Sequence, residues 1–406
     1  MSRIIIIGAG QAGGQAVASL RQLGYKEEIM LFGDEPHLPY QRPFLSKQYL
    51  SGEHEEGRVF LRAEKFYNDQ NVTLRIGECV AVIDPAVKQI TTEQGEKIAY
   101  QDLIIATGSR PRQLNIMGSD LKGIHYLRTL DDVNAIKPTL QKDKRMVIVG
   151  GGYIGLEVAS IAVSAGMDVT IIETEDRILK RVTTPEMSEF YHQLHIDRGV
   201  KIVLQSGVNG FEDKGDGALL GSVLCKDQTL KADVAIIGIG IIPNTELAAE
   251  AGLDCENGIT TDGHCLTSAP HIYAIGDCSN HPNPILKRRL RLESVPNAMD
   301  QAKVAASNIM GKEKIYSAVP WFWSDQYELK LQMVGFSTDS DCQIIRGDKN
   351  QKQFAIFYLK DNHLVAVDAV NSAREFMVGR KFYGQKFDPE KLANCDIDVA
   401  EAVITA

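Results

Sequence analysis

The feature that most constrains this 406-residue chain is a glycine-rich segment between two apolar runs. Residues 146–149 are all apolar, which is typical of a parallel strand buried on both faces. Gly150, Gly152 and Gly155 follow, and after a helix-length segment a second apolar run ends at Glu173. In a dinucleotide-binding unit the first glycine permits a sharp turn, the second lets the backbone approach a pyrophosphate, and the third lets the helix pack on the strand. The flanking strand, helix and acid are the context that this motif requires.

The chain begins with a second copy of the same unit. Residues 4–7 are apolar, Gly8, Gly10 and Gly13 follow, and the next apolar run leads to Asp34. For either copy alone, a glycine turn without a ligand is the alternative interpretation. Two copies far apart in one chain favour the functional interpretation and predict two bound dinucleotides.

The composition excludes several other classes of protein. A net charge of −9 argues against a general affinity for nucleic acid or for an anionic membrane surface. No apolar run approaches the roughly 18 residues of a membrane-spanning helix, and the segment before the first strand is too short for a secretory signal. The seven cysteines are scattered, and His192 and His195 share a helical face without further ligands, so we expect no metal site. Dispersed thiols suit a reducing cytoplasm, which is the predicted location.

The rest of the chain predicts further elements. Three prolines after Asp34 indicate an extended loop that ends in a short helix at residues 45–50. Residues 54–100 alternate polar and apolar and predict a β-rich appendage. Residues 201–204 and 222–224 are interpreted as the two arms of a hairpin. A helix is predicted at residues 297–310.

The C-terminal part of the sequence has a different pattern. Beyond Pro320, short apolar runs at 330–336, 343–345, 354–359 and 363–370 predict a small α+β domain of about 85 residues with a helical tail.

Nine motifs along the chain resemble, in their order, the motifs of one family. They are GAGQAG, GDEPHLPYQRPFLSK, ATGSRPR, YLRTLDD, GGGYIGLE, GIGIIPN, AIGDC, RLESVPNAMDQA and PWFWSDQY. The whole chain is similar to FAD-dependent NADH:ferredoxin reductases of the putidaredoxin reductase type, which also serve Rieske dioxygenases. The resemblance implies a glutathione-reductase-like α/β flavoprotein with two Rossmann-type dinucleotide-binding domains and a small α+β C-terminal domain. The implied domains are an FAD-binding domain in two segments (1–108 and 239–318), an NAD-binding domain (109–238) and a C-terminal interface domain (319–406).

The resemblance also implies the cofactor-binding residues. For FAD they are Gly8, Gly10, Ala12, Gly13, Asp34, Arg42, Lys47, Val80, Ala106, Thr107, Gly108, Arg128, Asp277, Val295 and Trp323. For NADH they are Gly150, Gly152, Ile154, Gly155, Glu157, Glu173 and Gly238. The Asp277 carboxylate suits a ribitol hydroxyl, and Val295 lies where a helix N-terminus would stabilise negative charge on the reduced flavin. Packing of Trp323 in an aromatic core is the alternative to a flavin contact.

Lys47 and Glu157 are the predicted catalytic residues. The resemblance places both where nicotinamide meets the flavin, and an ion pair between them would position the nicotinamide. The alternative for Glu157 is a solvent-facing carboxylate on a helix.

Glu173 predicts NADH rather than NADPH. Its carboxylate accepts hydrogen bonds from a ribose 2′-hydroxyl, whereas a 2′-phosphate would meet like charge at a cost of about 1–4 kcal/mol. Glu175 and Asp176 add to this repulsion, and Arg177 is the nearby cation.

The predicted electron acceptor is a [2Fe–2S] ferredoxin that feeds a P450 or Rieske oxygenase. The loop after Asp34 carries Ser46 and no cysteine, and Cys278 is interpreted as a packing residue, so the electrons leave to an external acceptor. Lys287, Arg288, Arg289 and Arg291 would dock an acidic ferredoxin, unless they form a solvated loop. The alternatives for the whole chain are a reductase of rubredoxin, quinone or oxygen, and a redox-sensing interaction protein of the apoptosis-inducing-factor kind.

Overall fold

The structure is a computed structural model that describes residues 3–215 and 217–404. The chain forms two compact units. The first contains residues 1–42, 55–110 and 241–320, and the second contains residues 43–54, 111–240 and 321–406. The finer division into separate NAD-binding and C-terminal domains stays a prediction.

A five-stranded parallel sheet is the centre of the first unit. Its strands, in spatial order, are Ile272–Ala274, Asp102–Ile105, Arg3–Ile7, Glu28–Gly33 and Val72–Ile76. Helices Gln11–Gln22 and Val295–Ile309 pack together on one face of this sheet over a core of aliphatic and aromatic side chains. The three inner strands of this sheet are mostly apolar because both faces of the sheet are covered, whereas the edge strand Val72–Ile76 contains Thr73 and Arg75 and is mostly half-buried.

The opposite face is covered by the second half of the predicted β-rich appendage. It is an antiparallel sheet of Val80–Asp84, Gln89–Thr92 and Lys97–Ala99. The first half of the appendage is predicted wrongly, because Glu64–Asp69 is a helix and Val72–Ile76 joins the parallel sheet. Ile83 and Ile90 lie in the same core cluster as Ala248 of helix Glu246–Glu250. The remaining elements of this unit are helix Glu64–Asp69, a ribbon of Ser109–Pro111 and Ile241–Pro243, and the strands Ile259–Thr260, Ser279–Asn283 and Arg288–Leu290.

The second unit contains another five-stranded parallel sheet. Its strands, in spatial order, are Lys201–Val203, Asp168–Ile172, Arg145–Val149, Val234–Ile237 and Ile124–Tyr126. The helices of the segments before residue 240 are Gln48–Ser51, Leu130–Ile136, Tyr153–Ser164 and Pro185–Asp197. Thr129 begins one of them with a capping box, because its hydroxyl accepts from the Asp132 N–H while the Asp132 carboxylate accepts from the Thr129 N–H.

The predicted hairpin of residues 201–204 and 222–224 is wrong in its first arm. Lys201–Val203 is the edge strand of the parallel sheet, where it pairs with Asp168–Ile172. The hairpin is instead made by Val208–Asp213 and Leu220–Cys225, and Thr229–Lys231 is its third strand. A short apolar run does not by itself choose its partner strand.

An antiparallel sheet lies within residues 321–370 of the second unit. Its strands, in spatial order, are Trp321–Gln326, Leu329–Gly335, His363–Val370, Gln353–Lys360 and Cys342–Asp348. Helices Ala373–Lys381 and Pro389–Ala393 follow, in agreement with the predicted helical tail. The short helix predicted at 45–50 is split into a 3₁₀ turn, Arg42–Ser46, and helix Gln48–Ser51. The helix predicted at 297–310 begins two residues earlier, at Val295.

Candidate functional site

The first glycine turn joins strand Arg3–Ile7 to helix Gln11–Gln22. A Cβ on Gly8 would meet the carbonyl oxygen of Ala106, and a Cβ on Gly13 would meet that of Gly8. A Cβ on Gly10 would have nothing within 4 Å. Two glycines therefore permit close backbone packing, while the middle one borders open space at the start of a helix, where N–H groups are available to an anion.

The second glycine turn repeats this geometry in the other unit. Gly150 is held against the carbonyl of Gly238 and Gly155 against that of Gly150, whereas Gly152 has nothing within 4 Å of its Cβ position. Helix Tyr153–Ser164 has no acidic residue in its first turn, and neither has Gln11–Gln22. Both turns fit a dinucleotide pyrophosphate, because in each the open space beside the middle glycine, Gly10 or Gly152, lies at the positive end of a helix. These two spaces are called the glycine cradles. Ile154 follows the second turn and is 44% exposed.

The two acids at the ends of the second strands have different environments. Asp34 is exposed, and its carboxylate accepts from the Glu35 N–H at 3.1 Å. Glu173 is half-buried, and its Oε2 accepts from the N–H of Gly151 at 2.8 Å. Glu173 is therefore bonded to the glycine turn itself, which fixes a negative charge beside the cradle.

Two cations in the loop after Glu173 have partners within the same loop. Lys180 pairs with Glu175 at 2.9 Å and with Asp176 at 3.2 Å. One Nη of Arg177 donates to the carbonyl oxygens of Lys180 and Thr183.

The predicted FAD residues of the first unit come from several separated segments. The Thr107 hydroxyl donates to the Asn244 carbonyl at 2.7 Å, and the Asn244 side chain donates back to the Thr107 carbonyl at 2.9 Å. Asp277 accepts from the Ser109 hydroxyl at 2.9 Å. These bonds join the segment after strand Asp102–Ile105 to Asn244 and to Asp277. Gly108 has a φ of +65°, which suits a residue without a Cβ.

Two other predicted residues of this unit lie at the start of an element. Val295 is the first residue of helix Val295–Ile309, which is capped by the Ser294 hydroxyl and has no acid in its first turn. Val80 begins a strand of the appendage. Ala12 is buried in helix Gln11–Gln22.

Arg42 is placed by two neighbours in the proline-rich loop. Its guanidinium donates to the Glu35 carboxylate at 2.5 Å and to the Tyr40 hydroxyl at 2.9 Å.

Lys47 and Glu157 form an ion pair inside the second unit. The Nζ of Lys47 lies 2.7 Å from Oε2 of Glu157, and the side chains are 9% and 3% exposed. Glu157 therefore is not solvent-facing, and the alternative interpretation of this residue is wrong. The ion pair was a hypothesis of the sequence analysis, and the structure brings its members together although they are 110 residues apart.

Two serines complete the environment of Glu157. The Ser46 hydroxyl donates to its Oε2 at 2.5 Å and the Ser324 hydroxyl donates to its Oε1 at 2.7 Å. A buried carboxylate needs such donors in addition to a cation. Sequence analysis did not assign either serine to the site, although one precedes Lys47 and the other lies in the motif PWFWSDQY.

The other two FAD residues predicted in this unit lie at a loop and in a strand. Arg128 precedes helix Leu130–Ile136, and its backbone N–H donates to the Asp132 carboxylate. The ring of Trp323 is half-buried, 5.7 Å from that of Trp321. Phe322 contacts Tyr153 of the second glycine turn at a ring distance of 5.2 Å.

Comparisons with known proteins identify the family. The pattern of the pyridine nucleotide-disulphide oxidoreductases matches residues 2–302, and that of the reductase C-terminal domain matches residues 321–403. The chain belongs to the pyridine nucleotide-disulphide oxidoreductase family. The prediction of a glutathione-reductase-like flavoprotein fold and of an oxidoreductase is confirmed.

Within this oxidoreductase family, several of the similar proteins are ferredoxin reductases, and one is a rubredoxin reductase of Ectopseudomonas oleovorans that is 37% identical over 368 residues, covering 91% of this chain and 95% of the relative. The 5,5′-dehydrodivanillate O-demethylase ferredoxin reductase subunit of Sphingobium sp. (strain NBRC 103272 / SYK-6) is 42% identical over 400 residues, which cover 98% of this chain and 97% of the relative. Putidaredoxin reductase of Pseudomonas putida is 41% identical over 409 residues, covering 99% and 97%. The crystal structure of a covalent putidaredoxin reductase–putidaredoxin complex matches with a TM-score of 0.95 and 40% identity, covering 99% of this chain and 98% of that chain. The resemblance to ferredoxin reductases is confirmed.

The disulphide in the name of the oxidoreductase family has no counterpart in the described part of this chain, where all seven cysteines are free. Cys278, beside Asp277, is fully buried, and burial raises the pKa of its thiol. Its thiol contacts the backbone carbonyls of Ile105 and Ile275. These contacts agree with its interpretation as a packing residue.

The predicted docking cations of this oxidoreductase lie on and beside strand Arg288–Leu290. Lys287, Arg288 and Arg289 are exposed. Arg289 also donates to the carbonyl oxygens of Thr261 and Asn280, both at 2.7 Å, and so holds the hairpin in place. Arg291 is only 11% exposed and pairs with Glu293 at 2.7 Å. The run therefore divides into cations that face solvent and cations that stabilise the local structure.

Metal ligands and membrane helices were not expected, and the described residues contain neither a cluster of three metal-ligating side chains nor a helix long and apolar enough to cross a bilayer. His195 is fully buried and bonded to Gln326.

Proposed function

We propose that this chain takes hydride from NADH onto FAD and passes single electrons to a [2Fe–2S] ferredoxin that feeds an oxygenase of the cytochrome P450 or Rieske type. The observation that carries the proposal is the presence of two glycine cradles of the same geometry in one chain. The names of the similar reductases, which include an O-demethylase subunit and putidaredoxin reductase, support the choice of acceptor.

The glycine turn of the first unit would take FAD, and the glycine turn of the second unit would take NADH. Gly8, Gly10 and Gly13 would border the FAD pyrophosphate, Asp34 the adenosine ribose and Asp277 the ribitol. Bound FAD supplies the conversion of a hydride into two single electrons. The chain contributes orientation and electrostatics: the N-terminus of helix Val295–Ile309 has no acid in its first turn, so its positive end is not neutralised.

The remaining assignments of the sequence analysis are kept in this proposal. For FAD they are Ala12, Arg42, Lys47, Val80, Ala106, Thr107, Gly108, Arg128, Val295 and Trp323, and for NADH they are Gly150, Gly152, Ile154, Gly155, Glu173 and Gly238.

Lys47 and Glu157 would orient the nicotinamide. The Glu157 carboxylate accepts from two hydroxyls and one ammonium, so it is held in one place. A fixed carboxylate suits the amide of a nicotinamide, because an ionised acceptor makes short, directional hydrogen bonds. Neither side chain exchanges a proton in this proposal; both act by position and charge.

One experiment tests the proposed function against its alternatives. The protein loaded with FAD is mixed anaerobically with NADH, and bleaching of the flavin absorbance is followed. A [2Fe–2S] ferredoxin is then added with cytochrome c as the final acceptor. We expect NADH-dependent cytochrome c reduction that requires the ferredoxin. Equal rates with rubredoxin, or turnover with quinone or oxygen alone, would contradict the choice of acceptor, and flavin bleaching without any acceptor turnover would favour a redox-sensing role.

We infer a cytoplasmic location from the seven dispersed free thiols, which suit a reducing compartment. Cell fractionation followed by immunoblotting tests this inference, and recovery outside the cytoplasmic fraction would contradict it.

A further inference from the structure

We propose that His195 and Gln326 are positioning residues for the Glu157 carboxylate, which they hold through Ser324 by a chain of hydrogen bonds that all point toward that carboxylate. This inference rests on the proposed function, because Glu157 is the carboxylate assigned there to the nicotinamide. His195, Gln326 and Ser324 all lie within the second compact unit.

The inner half of the chain lies on one strand. Ser324 and Gln326 are two residues apart in strand Trp321–Gln326, so their side chains share one face of the sheet. The Ser324 hydroxyl donates to Oε1 of Glu157 at 2.7 Å, and the Gln326 amide donates from Nε2 to the Ser324 oxygen at 3.2 Å. Both side chains are fully buried, so no solvent competes for these bonds.

The outer half is on helix Pro185–Asp197. The Nε2 of His195 lies 2.9 Å from Oε1 of Gln326. An amide oxygen only accepts, so Nε2 must carry the proton of this bond. The Tyr327 hydroxyl lies 3.2 Å from Nδ1 of the same ring and would donate to it. The ring is therefore the neutral Nε2–H tautomer, and four successive donors lead from Tyr327 to the Glu157 carboxylate.

The groups around the chain favour this arrangement. Burial, with the nearby charges of His192 and Arg198, lowers the pKa of His195 to about 4, so the ring is neutral near pH 7. Glu157 faces the ammonium of Lys47, and its charge also acts on the phenols of Tyr153 and Tyr191. Hydrogen bonds that all donate toward one anion polarise one another, and each bond is stronger as a result. The chain thus fixes the orientation of the Ser324 hydroxyl, and through it one oxygen of Glu157.

The tautomer of His195 is a direct test that does not depend on activity. Protein labelled with [¹⁵N]histidine and loaded with FAD is studied by long-range ¹H–¹⁵N NMR at pH 7, and the His195 signals are assigned by their loss in His195→Gln. We expect a neutral ring protonated at Nε2. The Nδ1–H tautomer would require the Gln326 amide to face the other way and would overturn the proposal, and an imidazolium would overturn it too.

Variants test the consequence for the reaction. Stopped-flow reduction of the flavin by NADH gives the limiting rate constant and the apparent Kd separately. His195→Leu removes the donor to Gln326, and we expect the limiting rate constant to fall up to about tenfold, which is the upper end of the effect of losing a hydrogen bond between two neutral groups. His195→Gln, which can offer an N–H at nearly the same place, should recover most of the rate. His192→Leu on the same helix is the matched control and should change the rate less than twofold.

Gln326→Glu keeps the shape but replaces the donor to Ser324 by a second carboxylate. We expect it to slow flavin reduction at least as much as His195→Leu while the FAD content stays unchanged. Unchanged rate constants in both His195→Leu and Gln326→Glu would overturn the proposal. The proposed function is judged separately, by ferredoxin-dependent turnover of the unmodified protein.

Discussion

The Nζ of Lys47 lies 2.7 Å from Oε2 of Glu157, and fewer than one tenth of either side chain is exposed. Lys47 precedes helix Gln48–Ser51 and Glu157 lies in helix Tyr153–Ser164, so the pair joins two segments of the chain that are far apart in sequence. Removal of either partner leaves a buried charge without its counter-ion, which is a large change for one substitution.

Lys47→Ala should therefore slow reduction of the flavin by NADH while FAD stays bound. Loss of the counter-ion leaves Glu157 with two hydroxyl donors only, and we expect the limiting rate constant to fall about 10- to 100-fold. Stopped-flow absorbance measures the rate, and the flavin-to-protein ratio checks FAD binding. Lys65→Ala, which removes a solvent-exposed lysine paired with Asp69, is the control. Equal rates in both variants would exclude a role for the pair in the reductive half-reaction.

Alanine substitutions should separate the two cradles. Gly10→Ala is sterically tolerated but fills the space of the first pyrophosphate, so the variant should fold and lose FAD on ultrafiltration. Gly152→Ala should keep FAD and weaken NADH binding about tenfold or more, as measured by titration. Gly13→Ala places a methyl group on the carbonyl of Gly8 and should lower the free energy of unfolding by about 1–3 kcal/mol or more. Normal FAD retention in Gly10→Ala would contradict the assignment of the first cradle.

Glu173→Ala should narrow the preference for NADH. The carboxylate repels a 2′-phosphate, and its removal should lower the ratio of kcat/KM for NADH to that for NADPH by about 5-fold or more. Glu173→Gln removes the charge but keeps an acceptor for the Gly151 N–H, so it measures the effect of the charge alone. Glu250→Gln, at an exposed residue of helix Glu246–Glu250, is the control. A wild-type preference for NADPH would refute the prediction at the start.

Charge reversal of the solvent-facing cations Lys287 and Arg288 should weaken the binding of ferredoxin. Lys287→Glu with Arg288→Glu leaves Arg289 to hold the hairpin, so the fold should be kept. We expect a several-fold higher KM for ferredoxin and a flatter dependence on ionic strength, with unchanged flavin reduction by NADH. Lys312→Glu, another exposed lysine of the same unit, serves for comparison. Identical salt profiles in the three proteins would show that ferredoxin docks elsewhere.

Asp368 should make stability fall with rising pH. Its carboxyl is fully buried, and burial raises its pKa from 3.8 to about 6, although Thr183 and Tyr358 donate to it. Between these two pH values the folded state binds more protons than the unfolded state, so the free energy of unfolding decreases from about pH 4 to about pH 6. Above this range the stabilising contribution of the protonated Asp368 is lost. The difference is on the order of 3 kcal/mol, because one pKa unit is worth about 1.36 kcal/mol.

Urea unfolding of the wild type and Asp368→Asn between pH 4 and pH 8 measures this effect, with the exposed Asp227→Asn as control. The wild type should lose stability relative to Asp368→Asn across the window. A constant difference at all pH values would show that Asp368 does not change its protonation there.

Much of the architecture was readable from the sequence because it depends on local patterns. The inner strands of both parallel sheets follow from largely apolar runs, and both turns follow from glycine spacing. The wrong arm of the hairpin at 201–204 shows the limit of such reasoning, since the choice of partner strand depends on contacts that a short apolar run does not encode. Ser46 and Ser324 were missed as partners of Glu157 for the same reason: no spacing rule relates residues that lie more than 100 positions away.

The sequence by itself determined that the chain has two dinucleotide cradles and an acid at the end of each second strand, because glycine spacing and apolar periodicity act over a few residues. Only the tertiary structure decided which charges are buried and what satisfies them. It placed Lys47, two serines and the hydrogen bonds from His195 around Glu157, and it engaged Arg289 and Arg291 in bonds that stabilise the local structure. The physical reason is that burial and hydrogen-bond partners are set by segments distant in sequence, and these set the electrostatics of a site.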